Sequence, residues 1–354
     1  MKAMTGWLQT CKEPKRAAIC LAFSILWIFY AVNIASAASA DSAASPVSRA
    51  PAAPEPAEIE YDITVRIDPV QRSIQGSSII TVKTTEELTL VLGRRFGVVS
   101  ARIDADPLGP AASSRNLRAW SIASSKQAPR RIEVQWRGEL SALDTSIDHP
   151  QTLGRNEPVT GEMGTFLPDS SGWYPYIAGK LASYRVNIEL PAGQRGIVPG
   201  RLIEESDTDE GYRASFEFTA PTGGIDLMAG PYAIKTREMT GAGGKPIQLR
   251  TYFHSQIADL APGYLDSAKH FIQFYESWIG AYPFSEFSVV SSPTPTGFGM
   301  PTLTYLGIEV LRLIPLLPLC PGSRRCLSPP ESSTTSPCAS ILCNAAFRGA
   351  ASSR

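Results

Sequence analysis

Ile59-Glu60-Tyr61-Asp62-Ile63-Thr64-Val65-Arg66-Ile67-Asp68 is the stretch that decides the fold class. Tyr61, Ile63, Val65 and Ile67 alternate with Asp62, Thr64, Arg66 and Asp68. A period of two over eight residues is that of a strand with one face on a core and the other in water. Asp68-Pro69 begins a turn, and Gly76 to Lys83 supplies a second strand.

The same alternation returns downstream. Ile132, Val134 and Trp136 alternate with charged and polar neighbours, as do Tyr184, Val186, Ile188 and Leu190; Phe216 and Phe218 flank Glu217. Gly and Pro punctuate these runs, and no long amphipathic helix interrupts them. The pattern predicts a mainly β protein, with an antiparallel β-sandwich-like domain over residues 59–236. The pattern then changes. Ile247 to Phe253 is a strand candidate, whereas Leu265, Ala268, Phe271, Ile272, Tyr275, Trp278 and Ile279 recur at three- and four-residue steps, one face of a helix. Pro262 suits its first turn and Gly280 its end, and Phe287 to Ser291 forms a strand after it. Residues 237–313 therefore begin a mixed α/β region.

Three further segments flank this body. Lys12, Lys15 and Arg16 precede an uncharged, largely apolar run over residues 17–40 that ends in Ala35-Ser36-Ala37 and Ala38-Ser39-Ala40. Residues 1–40 read as a cleaved signal peptide or an uncleaved membrane anchor, and either exports the body to a periplasmic or extracellular location. Residues 41–58, rich in Ala, Pro and Ser, form a linker. Residues 314–354 lose all apolar periodicity and gather Cys320, Cys326, Cys338 and Cys343. They read as a disordered tail or as an out-of-frame translation. The other two cysteines, Cys11 and Cys20, lie in the leader, so no disulfide can hold the body together.

Lys+Arg and Asp+Glu number 33 each, which gives no electrostatic reason to expect a nucleic-acid partner. The chain has three histidines. His149 sits in a loop-like stretch, and His254 follows a strand without a ligand partner at a recognisable spacing. His270 pairs at i, i+4 with Asp266 on the polar side of the helix, the pattern of a surface ion pair. No H-E-x-x-H, Walker loop or G-x-S-x-G is present. The tail cysteines lack the paired spacing of a zinc module. The residues offer neither a metal site nor a catalytic residue.

Taken together, several segments resemble the aminopeptidase N family of gluzincin zinc metallopeptidases, in a divergent bacterial branch marked by Gly172-Trp173-Tyr174-Pro175. Tyr61 to Val65 with Ile74-Gln75-Gly76-Ser77 is similar to the family's opening. Phe216-Glu217-Phe218-Thr219 with Leu227-Met228-Ala229-Gly230-Pro231-Tyr232 is similar to the end of its sheet domain. Tyr252-Phe253, the helix, and Ile279-Gly280-Ala281-Tyr282-Pro283-Phe284 resemble the start of its thermolysin-like catalytic domain. The resemblance spans about residues 59–313.

It implies peptide-bond hydrolysis by a zinc-activated water, and a peptide substrate lying along a Gly-x-Met-Glu-Asn strand whose Glu holds the free α-amine. Gly299, Met300, Pro301 and Thr302 stand at that strand and are the candidate substrate-binding residues. Pro301 and Thr302 replace the Glu and Asn, which puts amine recognition in doubt. The family's zinc motif is due shortly after Leu313, where the resemblance stops, so the chain as written is expected to be inactive alone. The alternative is a non-catalytic exported β-sandwich module that binds peptides or a partner protein.

Overall fold

The computed structural model describes residues 57–148 and 157–313. The leader, nearly all of the linker, His149 and the tail lie outside the described residues.

The period-two pattern at Ile59 becomes β1 (Ile59–Asp68), the fourth strand of an eight-stranded sheet. Its Ile59, Tyr61, Ile63, Val65 and Ile67 are buried while Asp62, Thr64 and Arg66 are exposed. Each such apolar side chain stabilises the fold by about 1.5–3 kcal/mol on leaving water. β1 turns into β2 (Ser73–Val82) through residues 69–72, where the Asp68 carboxylate accepts the N–H groups of Val70 and Gln71 at 3.0 and 2.9 Å. The remaining long strands are β3 (Gly97–Ile103), β4 (Arg130–Glu139), β5 (Ala182–Leu190), β6 (Arg201–Thr208) and β7 (Gly211–Thr222). They run in the order β6-β7-β5-β1-β2-β4-β3, with the short strand Asp106–Pro107 last.

Gly76 stands opposite Trp136 across the β2–β4 ladder, and a Cβ there would overlap the indole ring. The missing side chain is what lets Trp136 lie flat on β2, buried at 1% exposure. The pairing is antiparallel throughout this sheet except between β1 and β5, which run parallel from Ile59↔Ala182 to Arg66↔Glu189. Alternation alone does not distinguish the two directions, because both keep the same faces.

A four-stranded sheet containing Leu88–Gly93 and Leu117–Ile122, and a five-stranded sheet containing Gly164–Leu167 and Leu227–Gly230, contribute to the same core. The last sheet is made of β8 (Tyr232–Thr240), β9 (Pro246–His254), β10 (Glu286–Ser292), β11 (Gly297–Met300) and β12 (Leu303–Gly307), in the order β8-β9-β10-β12-β11. β9 and β10 are parallel and joined through α1 (Ala261–Glu276), the α/β unit expected from the change of period. Tyr252, Val290, Leu303 and Tyr305 of this sheet enter the first core. Leu249, Phe253, Phe287 and Val289 form a second core with Leu265, Ala268 and Ile272 of α1 and Leu311 of α2 (Ile308–Leu313).

Two readings of the helix need correction. Its apolar stripe stops with α1 at Glu276, and Trp278 and Ile279 are each 62% exposed. The backbone still turns there, with the Ile279 N–H donating to the Tyr275 carbonyl at 2.8 Å, but the two residues lie past the part of the helix that packs on the sheet; the Glu276 carboxylate accepts the N–H groups of Ala242 and Tyr282 at 3.0 and 2.9 Å. Asp266 pairs with Arg237 of β8 rather than with His270, whose exposed ring rests instead against Phe271. The neighbouring strand supplies a guanidinium closer than the imidazole one helical turn away.

Candidate functional site

Among the described residues Gly297–Met300 is the outer strand of its sheet, paired on one side only, with β12. An unpaired edge leaves backbone N–H and C=O groups free to meet an extended chain. The four candidate residues lie together here but differ in what they offer. Gly299 is exposed and Pro301 half-buried, whereas Met300 and Thr302 are buried at 6% and 4% exposure. Met300 belongs to the first core.

Thr302 closes the β11–β12 turn with φ 67°, a left-handed conformation that β-branched residues rarely adopt. Two hydrogen bonds hold it: the Gly200 N–H donates to its Oγ1 at 2.7 Å, and the Ser288 N–H donates to its carbonyl at 2.8 Å. Its side chain thus clamps the hairpin to the sheet domain. Replacing Thr302 with valine keeps the shape but strands a buried Gly200 N–H. A loss of about 1.5 kcal/mol is expected, read as a lower midpoint in urea unfolding with an unchanged slope.

Beside the edge lies an aromatic wall that the sequence reading missed. Phe166 stacks on Phe298 with ring centroids 5.5 Å apart and meets Tyr305 at a tilt at 5.2 Å. Both phenylalanines are only partly buried. Phe166 is distant in sequence from the hairpin, so no spacing rule could have joined them.

His254 is the buried histidine. Its Nε2–H donates to the Met163 carbonyl at 2.7 Å, and its Nδ1 lies 2.7 Å from the Ser291 hydroxyl. Because a carbonyl only accepts, Nε2 carries the proton and Ser291 donates to Nδ1. Burial holds the imidazole below its ordinary titration range, partly opposed by the Met163 carbonyl. His254 therefore ties the turn after Val159–Gly161 to β9 and β10, and both of its ring nitrogens are engaged.

The zinc implied by the resemblance can be tested against these donors. His254 has no free nitrogen and His270 stands alone on the helix surface. Among the described residues no group of three or more His, Cys, Asp or Glu is placed to hold a metal ion. The described residues do not fit a zinc centre.

The fold can be placed among known proteins. No protein-family model and no curated protein matches the sequence. Solved structures do match. One is an M1 zinc metallopeptidase from Deinococcus radiodurans, a mutant bound to a Tyr-Ser-Ala substrate: 15% identity, TM-score 0.58, covering 73% of this chain and 63% of that one. Another is a two-domain M1 zinc metallopeptidase mutant bound to L-arginine: 16% identity, TM-score 0.56, covering 72% and 62%. The unmutated Deinococcus radiodurans enzyme gives 14% identity and TM-score 0.56, covering 72% and 61%. The described fold is similar to that of the part of these M1 metallopeptidases that the chain covers. At such identities the likeness concerns the fold alone, and the chain spans less than two thirds of each of these proteins.

Proposed function

We propose that this chain is an exported, peptide-binding relative of the zinc aminopeptidases, whose described residues receive a peptide without hydrolysing it. The observation that carries this reading is the edge of β11, a Gly-rich strand paired on one side only among the described residues. A peptide adding to that edge as an extra strand would gain backbone hydrogen bonds, and the absent side chain at Gly299 lets it approach closely. Phe166 and Phe298 would receive an apolar side chain beside it. M1 neighbours bound to a tripeptide and to an amino acid support the same ligand class.

Pro301 in place of an acid leaves nothing at that position to grip a free α-amine. The site would therefore accept blocked and unblocked peptides alike, unlike a strict aminopeptidase. Cleavage, where the family performs it, requires zinc ligands that the described residues do not supply. Export rests on residues 17–40, as signal peptide or anchor; among the described residues no helix is long and apolar enough to cross a membrane.

Titration calorimetry with Tyr-Ser-Ala and its N-acetyl form tests the proposal. Both should bind with dissociation constants within about threefold of each other, and Gly299→Val should weaken both at least about tenfold by obstructing the edge. No saturable binding, or binding indifferent to Gly299→Val, contradicts it.

A further inference from the structure

One side of α1 carries more apolar surface than the described residues cover. Phe271, Phe274 and Tyr275, with Trp278 just past the helix end, recur at the i, i+3, i+4, i+7 spacing of a single ridge. The Phe274 ring lies 5.4 Å from that of Tyr275 and 6.1 Å from that of Trp278. Phe271, Phe274 and Tyr275 are only partly buried, and Trp278 and the adjoining Ile279 are exposed. A row of aromatic rings continued by an isoleucine is a surface that soluble proteins seldom leave to water.

This ridge starts close to where the described chain ends. Tyr264, seven residues before Phe271 and so on the same side of α1, donates its hydroxyl to the Leu311 carbonyl at 2.7 Å. Arg312 reaches the side chain of Gln256, ahead of the helix, at 3.3 Å. α2 therefore ends at Leu313, itself 64% exposed, beside the first turn of α1. From Tyr264 to Trp278 a helical path rises about 21 Å.

The next six residues, which lie outside the described ones, are Ile314-Pro315-Leu316-Leu317-Pro318-Leu319. They carry no polar side chain, and their two prolines oppose a helix and favour a polyproline course. At about 3.1 Å per residue such a segment matches the length of the ridge. We propose that residues 314–319 lie along this aromatic ridge as an intramolecular strap covering Phe271, Phe274 and Trp278. Proline-rich segments dock on aromatic surfaces in this way. Tethering gives the strap a higher effective concentration at the ridge than a second copy of the chain could reach. Running from Tyr264 toward Trp278, it would set Cys320 beside Ile279.

Disulfide mapping on the full chain tests the strap. After Ile279→Cys, equilibration with oxidised glutathione should join the introduced thiol to Cys320, at a yield about tenfold or more above that after Gln273→Cys. Gln273 is exposed on the opposite side of the same helix, so a tail that does not seat would reach both positions alike. Adding Leu316→Asp and Leu317→Asp to the Ile279→Cys chain should lower the yield about fivefold or more, because carboxylates resist burial against aromatic rings. Equal yields at the two positions, or a yield indifferent to the Leu316→Asp/Leu317→Asp change, would overturn the proposal. So would a link between the introduced thiols of two chains, the mark of a second copy on the ridge.

Discussion

Replacing Trp173 with alanine is expected to destabilise the chain by about 3–5 kcal/mol. The indole is fully buried, lies 4.8 Å from the Tyr174 ring, and donates from Nε1 to the Ile225 carbonyl at 2.8 Å. Truncation would open a large cavity where the Leu88–Gly93 strand, β1 and the 225–229 segment share one core, and would strand the Ile225 carbonyl. Trp173→Phe fills most of the volume but leaves the carbonyl unpaired, and should cost about 1–3 kcal/mol. Urea unfolding of the two variants separates packing from hydrogen bonding; a Trp173→Ala loss below about 1 kcal/mol would place this residue outside the core.

The second large effect depends on pH. The Asp226 carboxyl is pushed up from 3.8 to about 7, by burial first and by the Asp169 charge second, against the Asp169 N–H that favours its ionised form. Between those two values the folded chain holds a proton that the unfolded chain has released. Stability from this group is therefore fully present below about pH 4, falls as pH rises, and is lost above about pH 7. Partial exposure of Asp226 reduces the effect to about 2 kcal/mol. Asp226→Asn keeps an acceptor for the Asp169 N–H and removes the titration. It should match the wild type near pH 4 and exceed it by about 2 kcal/mol at pH 8. Unfolding curves at the two pH values check this, and a variant destabilised equally at both would contradict it.

What the sequence disclosed depended on which physical signal each element carries. β1, β4 and β5 are half-buried, so their alternation is visible along the chain. The strand Leu88–Gly93 is buried at every position but Thr89, and a strand buried on both faces carries little period to read. The parallel β1–β5 pair was invisible for a different reason, since strand direction leaves no mark on which face a residue occupies. The helix was legible in its buried part and overextended at its end, because Trp278 and Ile279 continue the apolar spacing past the part of the helix that packs on the sheet.

The candidate site was legible only as a position. The resemblance located Gly299 to Thr302, but burial divides them: Gly299 faces outward while Met300 and Thr302 are committed to packing and clamping. Thr302 shows why local rules fail at such points. Its left-handed backbone is unfavourable for threonine on propensity alone and is held by a hydrogen bond from Gly200, 102 residues away. The Phe166–Phe298 stack, the His254–Met163 tie and the Asp169–Asp226 contact likewise join segments far apart in sequence, so none could be inferred before the fold was known.

The central claim is that the described residues hold a peptide at the β11 edge but supply no zinc centre to cleave it. The most direct measurement is made on the purified 354-residue chain after zinc loading and removal of excess metal: bound zinc by elemental analysis, together with hydrolysis of Tyr-Ser-Ala with and without 1,10-phenanthroline. The account predicts zinc well below one ion per chain and no chelator-sensitive release of tyrosine. Stoichiometric zinc with peptide cleavage that the chelator abolishes would contradict it.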